Sequence, residues 1–171
     1  KTFVIPEFGE IKSDRRRLGE SASLDSLDEP GQPAIHFGRV RRDADEDMAA
    51  ILRDEMAKGQ FKALLHCFTA SRELAMTGLE LGLYVSFSGV VTFKTSEALR
   101  AIAAEIPVAP TSVLSLAPFL ALIPYRGKRN QPAYVAETAK VLAGVKGVDA
   151  AVLANATTAN VLRLFSKMPP L

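Results

Sequence analysis

From residue 43 onward the chain alternates helix-patterned stretches with short apolar runs of strand length, joined by brief connections, and this rhythm is what most restricts its fold. Two strands running the same way need a crossover between them, so the alternation implies βα units laid on a parallel sheet. Asp43 and Glu46 form an Asp-x-x-Glu start that resembles a capping box. Met48, Ile51, Leu52 and Met56 follow at helical spacing, and Gly59 stops the run. Residues 62–67 predict a buried strand through Ala63, Leu64 and Leu65. Ser71 predicts the cap of a helix carried by Leu74, Leu79 and Leu81 and ended at Gly82, and residues 83–87 supply the next strand. The cycle repeats with Ser96 as cap, Leu99, Ile102 and Ile106 as the apolar face, Pro107 as stop and 112–116 as strand. Two helices follow over 133–142 and 150–165, with a turn expected at Gly144 and Gly147, and Pro169 and Pro170 end the chain.

The first 42 residues differ in kind. Only 2–5 and 34–37 read as strands, and the intervening 12–32 holds Arg15, Arg16 and Arg17 among serines and acids without an apolar period, which predicts loop or disorder. The chain is expected to form a single domain over 1–171, with 1–42 irregular and 43–167 carrying the repeat. A complete (β/α)₈ barrel takes about 250 residues and seldom fewer than about 200. At 171 residues the fold class is therefore α/β, with repeated βα units and a parallel sheet forming a partial or rearranged TIM barrel.

Twenty-one basic against 19 acidic side chains leave a formal charge of +2, so any polyanion must be held by a local patch rather than a global field. One cysteine, Cys67, excludes an internal disulfide. No run approaches the roughly 18 apolar residues of a membrane span, and no segment reads as a signal peptide. The expectation is a cytoplasmic protein without a membrane partner.

Particular motifs go further. Leu65-His66-Cys67-Phe68-Thr69, then a helix, then Leu83-Tyr84-Val85-Ser86-Phe87-Ser88-Gly89 resembles the TatD family of metal-dependent hydrolases. The resemblance continues through Pro118-Phe119-Leu120, Ile123-Pro124-Tyr125-Arg126-Gly127-Lys128-Arg129-Asn130, Pro132-Ala133-Tyr134-Val135, and Thr157-Thr158-Ala159-Asn160 before Leu164-Phe165. It implies a TIM-barrel fold, a divalent metal cofactor (Mg, Mn or Zn), and hydrolysis of phosphodiester bonds in DNA. Such chemistry deprotonates a metal-bound water and polarises phosphate oxygens, which calls for imidazoles and carboxylates at the carboxyl ends of strands. By resemblance, His66 and His36 occupy positions of metal-binding histidines and Glu10 that of a metal-binding glutamate.

Some of the pattern is missing. His36 and His66 are the only histidines, so the family's N-terminal His-x-His pair is absent. The segment that should deliver the central aspartate reads Leu114-Ser115-Leu116-Ala117-Pro118, and leucine at 116 offers no lone pair to a metal and no base. Leu114 and Leu122 make the same region apolar, as though a polar cleft had been filled. Tyr125-Arg126-Gly127-Lys128-Arg129-Asn130 reads as a basic loop just past a strand end, with Arg126, Lys128 and Arg129 suited to phosphates and Tyr125 to base stacking. The bland alternative is a solvated turn. Cys67 is read as a buried filler, since adjacent strand residues face opposite ways and it cannot pair with His66.

Two functions follow from these residues. One is a metal-dependent deoxyribonuclease with a degraded site built on His66, His36 and Glu10. The other is a catalytically inactive relative or fragment, its metal lost, that binds nucleic acid or a protein partner through the 125–130 loop. A partial barrel also leaves sheet edges on which a homo-oligomer could form.

Overall fold

The structure, a computed structural model, describes residues 2–4 as backbone and residues 45–166 in full. Within them the order is β1 (Thr2–Val4), α1 (Asp45–Lys58), β2 (Lys62–Leu65), α2 (Arg72–Glu80), β3 (Tyr84–Phe87), α3 (Glu97–Glu105), β4 (Thr111–Val113), α4 (Val135–Lys146) and α5 (Ala150–Leu164). Short 3₁₀ turns at Gly89–Thr92 and Pro132–Tyr134 precede α3 and α4. The expected strand over 34–37 and the Asp43 cap lie outside the described residues.

All four strands are parallel, and their order in the sheet follows their order in the chain. A sheet wound in one direction by right-handed crossovers keeps its helices on one face, as a barrel does, whereas a doubly wound sheet reverses its order partway. The register separates the faces. Val85 stands beside Thr111 and Phe87 beside Val113, while Leu64 pairs with Tyr84 and Ser86 with Ser112 on the opposite side. The first face joins Ala63, Leu65, Val85 and Phe87 to Leu52, Leu74, Ala103, Ile106, Leu142 and Leu153 in one core. Phe68 meets Phe87 edge to face, with ring centroids 6.2 Å apart. The second face carries the hydroxyls of Ser86, Ser112 and Tyr84.

Local chemistry sets the helix ends. Ser71 caps α2 by accepting from the Leu74 amide at 3.2 Å, and its own amide donates to the Asp45 carboxylate at 2.7 Å, tying the starts of α1 and α2 together. Asp45, Glu46 and Asp47 place negative charge in the first turn of α1, where the helix dipole favours it. Asp149 caps α5 by accepting from the amides of Ala151 and Val152.

Four sequence expectations need correction. Ser96 stands at the cap of α3 but makes no capping bond, because its hydroxyl donates to the Val90 carbonyl at 2.8 Å. Gly144 lies inside α4, and Gly147 alone, at φ +65°, makes the left-handed stop. β2 ends at Leu65 and β4 at Val113, both short of the expected 67 and 116. Since Cys67 lies beyond the strand at φ +54°, strand alternation does not decide its direction, although it is buried as a filler should be.

α5 runs along the amino-terminal edge of the sheet. Asn160, fully buried, donates through Nδ2 to the carbonyls of Val108 at 2.9 Å and Thr111 at 2.6 Å. Farther along the helix, the Arg163 carbonyl accepts from Lys62 Nζ at 2.8 Å at the start of β2. The Pro110 carbonyl and Leu114 amide bond into β3, so the backbone groups of Thr111 turn to the outer edge of β4. There the Thr111 amide donates to Val108 and its carbonyl receives Asn160. At the end of α4, Lys146 Nζ donates to the carbonyl of Ala103 in the last turn of α3 and to that of Ile106 just past it, and burial pushes its pKa down to about 8.

Two outcomes follow. Asn160→Ala should lower stability by about 2–3 kcal/mol, since two buried carbonyls lose their donor, and urea denaturation with an unchanged midpoint would refute the fastening role. For Lys146 the unfolded side chain, at 10.5, holds its proton to higher pH than the folded one, at about 8. Its contribution is therefore full above about 10.5 and falls as pH drops through about 8. The stability of the chain relative to Lys146→Met should accordingly grow between those two values, and a pH-independent difference would count against it.

Candidate functional site

In a parallel sheet, the loops after the strands gather at one edge, and every described candidate residue lies there. Three segments form it: 66–71 after β2, 88–96 after β3 and the long connection 114–131 after β4. His66 follows the end of β2 directly and is half-buried. Its turn is strapped to β3 by Ser86. That hydroxyl accepts from the Cys67 amide at 3.1 Å and lies 3.5 Å from the Leu65 carbonyl, while the Ser86 carbonyl accepts from the Phe68 amide at 2.8 Å. The left-handed conformation of Cys67 is thus held from both sides.

The 88–96 segment is fixed as firmly. Arg100 on α3 donates to the carbonyls of Val91 at 3.0 Å, Phe93 at 2.7 Å and Lys94 at 3.3 Å. Thr92 Oγ1 donates to Gly89 at 2.7 Å and accepts from the Ile123 amide at 3.1 Å, which docks the 114–131 connection onto the 3₁₀ turn. Leu122 fills the junction. It is 1 % exposed, and a Cβ added to Gly89 would lie 2.6 Å from the Leu122 Cβ.

Leu116, where the resemblance places an aspartate, is half-buried and opens a turn in which its carbonyl accepts from the Phe119 amide at 2.7 Å. The turn is clamped by Asn130, whose amide donates to Pro118 at 3.1 Å and whose Nδ2 donates to Phe119 at 2.7 Å and lies 3.5 Å from the Leu120 carbonyl. The peptides before Pro118 and Pro124 are cis.

The basic loop does not sit just past a strand end, because β4 stops at Val113. It lies well along the connection, held by stacking. The Tyr125 ring packs flat on Tyr134 at 3.7 Å, so one of its faces is already covered, and the Arg126 guanidinium lies 4.5 Å above the Phe93 ring. Gly127, at φ +81°, lets the chain turn between Arg126 and Lys128. Arg126, Lys128 and Arg129 are all exposed.

Of the three proposed metal ligands, only His66 can be placed; His36 and Glu10 lie outside the described residues. Among the described residues no three His, Cys, Asp or Glu side chains come together to hold a metal. Beside His66 the edge offers serine and threonine hydroxyls and, at 116, a hydrocarbon. These residues alone do not fit a divalent ion, which takes at least three strong donors. The sequence reading missed Ser86, Arg100 and Phe93, because each acts across the sheet or along a loop, where spacing in the chain carries no signal.

The family model described as TatD related DNase matches residues 35–166. The chain belongs to the TatD family. It is 48% identical over 124 residues to the uncharacterized metal-dependent hydrolase YcfH of Escherichia coli K12, covering 72% of this chain and 46% of that protein. To the uncharacterized metal-dependent hydrolase YabD of Bacillus subtilis it is 40% identical over 124 residues, covering 72% of this chain and 48% of the relative. The crystal structure of YJJV, a TatD homolog from E. coli K12, superposes with a TM-score of 0.67 at 23% identity, over 78% of this chain and 49% of that one. A TatD family hydrolase from Entamoeba histolytica gives 0.64 at 16% identity, over 78% and 51%. The two structures share the fold. The chain spans about half the length of the TatD relatives it matches.

The close approach of Gly89 and Leu122 makes a prediction. Gly89→Ala should cost about 2 kcal/mol, as overpacking does. Leu122→Ala in the same chain should not rescue it, since the nearest atom is the Leu122 Cβ itself. Thermal melting of the single and double variants checks both statements.

Proposed function

We propose that this chain is a TatD-type hydrolase that acts on phosphodiester bonds of DNA with divalent metal, through a depleted site to which the described residues contribute His66. The observation that carries this reading is the placement of His66 at the carboxyl end of β2, on the same edge of the sheet as the exposed cations Arg126, Lys128 and Arg129. Family membership and relatives named metal-dependent hydrolases support it. In this reading the three cations screen the phosphates of the strand, Gly127 lets the backbone approach them, and Ser86 fixes the turn that carries His66. His36 and Glu10 are the further ligands that the family resemblance proposes.

A second reading is favoured by one residue. Leu116 supplies hydrocarbon where the family pattern has a carboxylate, and the neighbouring Leu122 is packed against Gly89. A chain of this kind would hold nucleic acid, or a protein partner, through the 125–130 loop without turnover.

One assay separates the two. With Mg²⁺, Mn²⁺ or Zn²⁺ added, the hydrolase reading expects cleavage of DNA that falls at least about tenfold in His66→Ala, a loss of about 1.4 kcal/mol or more in transition-state stabilisation, and rises in Leu116→Asp. Cleavage no greater than that of His66→Ala, together with salt-sensitive binding, would leave the binding reading. Replacing Arg126, Lys128 and Arg129 with serine should weaken that binding and flatten its salt dependence. Binding indifferent to all three would remove the loop from both readings.

A further inference from the structure

We propose that the tip of the 114–131 connection is an apolar anchor that seats this edge of the protein on an anionic lipid surface. Among the described residues four large hydrophobic side chains are exposed, and three of them, Phe119 (70 %), Leu120 (41 %) and Ile123 (38 %), stand together on this connection. Clustered exposed hydrocarbon of this kind marks an interaction surface.

The tip is built rather than slack. Asn130, 4 % exposed, bonds to Pro118 and Phe119, and Leu120 takes a left-handed conformation at φ +49°, which a leucine adopts only when its surroundings impose it. Leu116 closes the same turn from the other side. The clamp fixes the backbone from which Phe119 and Leu120 stand exposed.

The surrounding charge selects the partner. Between Glu105 and Glu137 the chain has no acidic residue, while Arg126, Lys128 and Arg129 lie a few positions beyond the tip. Apolar side chains flanked by cations match a bilayer whose hydrocarbon lies beneath anionic headgroups. Tyr125 and Tyr134, stacked on one another a few positions farther along, are residues suited to the headgroup level. Nucleic acid would use the same cations, but of the three apolar side chains only Phe119 has a flat face for a base, and one face of Tyr125 is taken. No helix of the described residues is long and apolar enough to cross a membrane, so the contact is peripheral. The hydrolase reading assigns the same three cations to DNA phosphates, so lipid and DNA would compete for this edge.

The chain contains no tryptophan, so Phe119→Trp places a single reporter at the tip. On mixing with vesicles of one part phosphatidylserine to three parts phosphatidylcholine, its emission should shift to the blue and be quenched by brominated acyl chains. The response should weaken as salt rises and be far smaller on pure phosphatidylcholine. In the otherwise unaltered chain, Phe119→Ser and Ile123→Ser should each lower sedimentation with the anionic vesicles about tenfold, with circular dichroism unchanged. The proposal is overturned if the indole emission of Phe119→Trp ignores anionic vesicles, if both serine variants with native circular dichroism sediment like the parent, or if a single-stranded oligonucleotide shifts the emission while vesicles do not.

Discussion

Parallel strands cannot be closed by a tight turn, so each return in this chain needs an element that carries it from the carboxyl end of one strand to the amino end of the next. α2 and α3 do this for β2, β3 and β4, and the winding never reverses. Two different edges result. At the carboxyl edge the chain leaves its strands through loops of variable length, and all the described candidate chemistry collects there. At the amino edge the chain is braced, by Asn160 on β4, Lys62 reaching α5 and Lys146 closing the end of α3.

The division explains what could be read in advance. Ser71, Gly82 and Gly147 act on backbone within a few residues of themselves, and their roles were visible as spacing. Ser96 looked the same, but its hydroxyl found a better acceptor in Val90, and a tertiary contact displaced a local one. Gly144 offered a stop that α4 did not use, because the left-handed turn is made three residues later at Gly147. The strands came out shorter than their apolar runs, since a ladder ends where the neighbouring strand ends, whatever the side chains of the next residue.

The site divides in the same way. His66 and the substitution at Leu116 were legible through the family pattern, which records residue types position by position. The straps that hold their loops were not. Ser86 reaches back to the turn after β2 from the next strand, Phe93 lies under Arg126 from another loop, and Asn130 clamps a turn more than ten positions earlier. Leu122 shows how packing and chemistry come apart at this edge. It completes the junction with the Gly89 turn as well as any core leucine, yet it adds nothing that could bind an ion or move a proton. Packing at this junction is thus satisfied by a side chain that brings no donor with it.

Asn160 has a consequence for how the sheet ends. Among the described residues β4 has no neighbour on its far side, and an unguarded edge of that kind would template another strand. The Thr111 carbonyl, which an incoming chain would need for its first rung, is already held by the Asn160 amide, and the Thr111 amide is held by Val108. A strand that paired with β4 through Thr111 would have to displace Asn160 first. The side chain that fastens the helix thus also works as a guard against self-templated growth, and a chain that lost it would be exposed to aggregation along that edge as well as to unfolding.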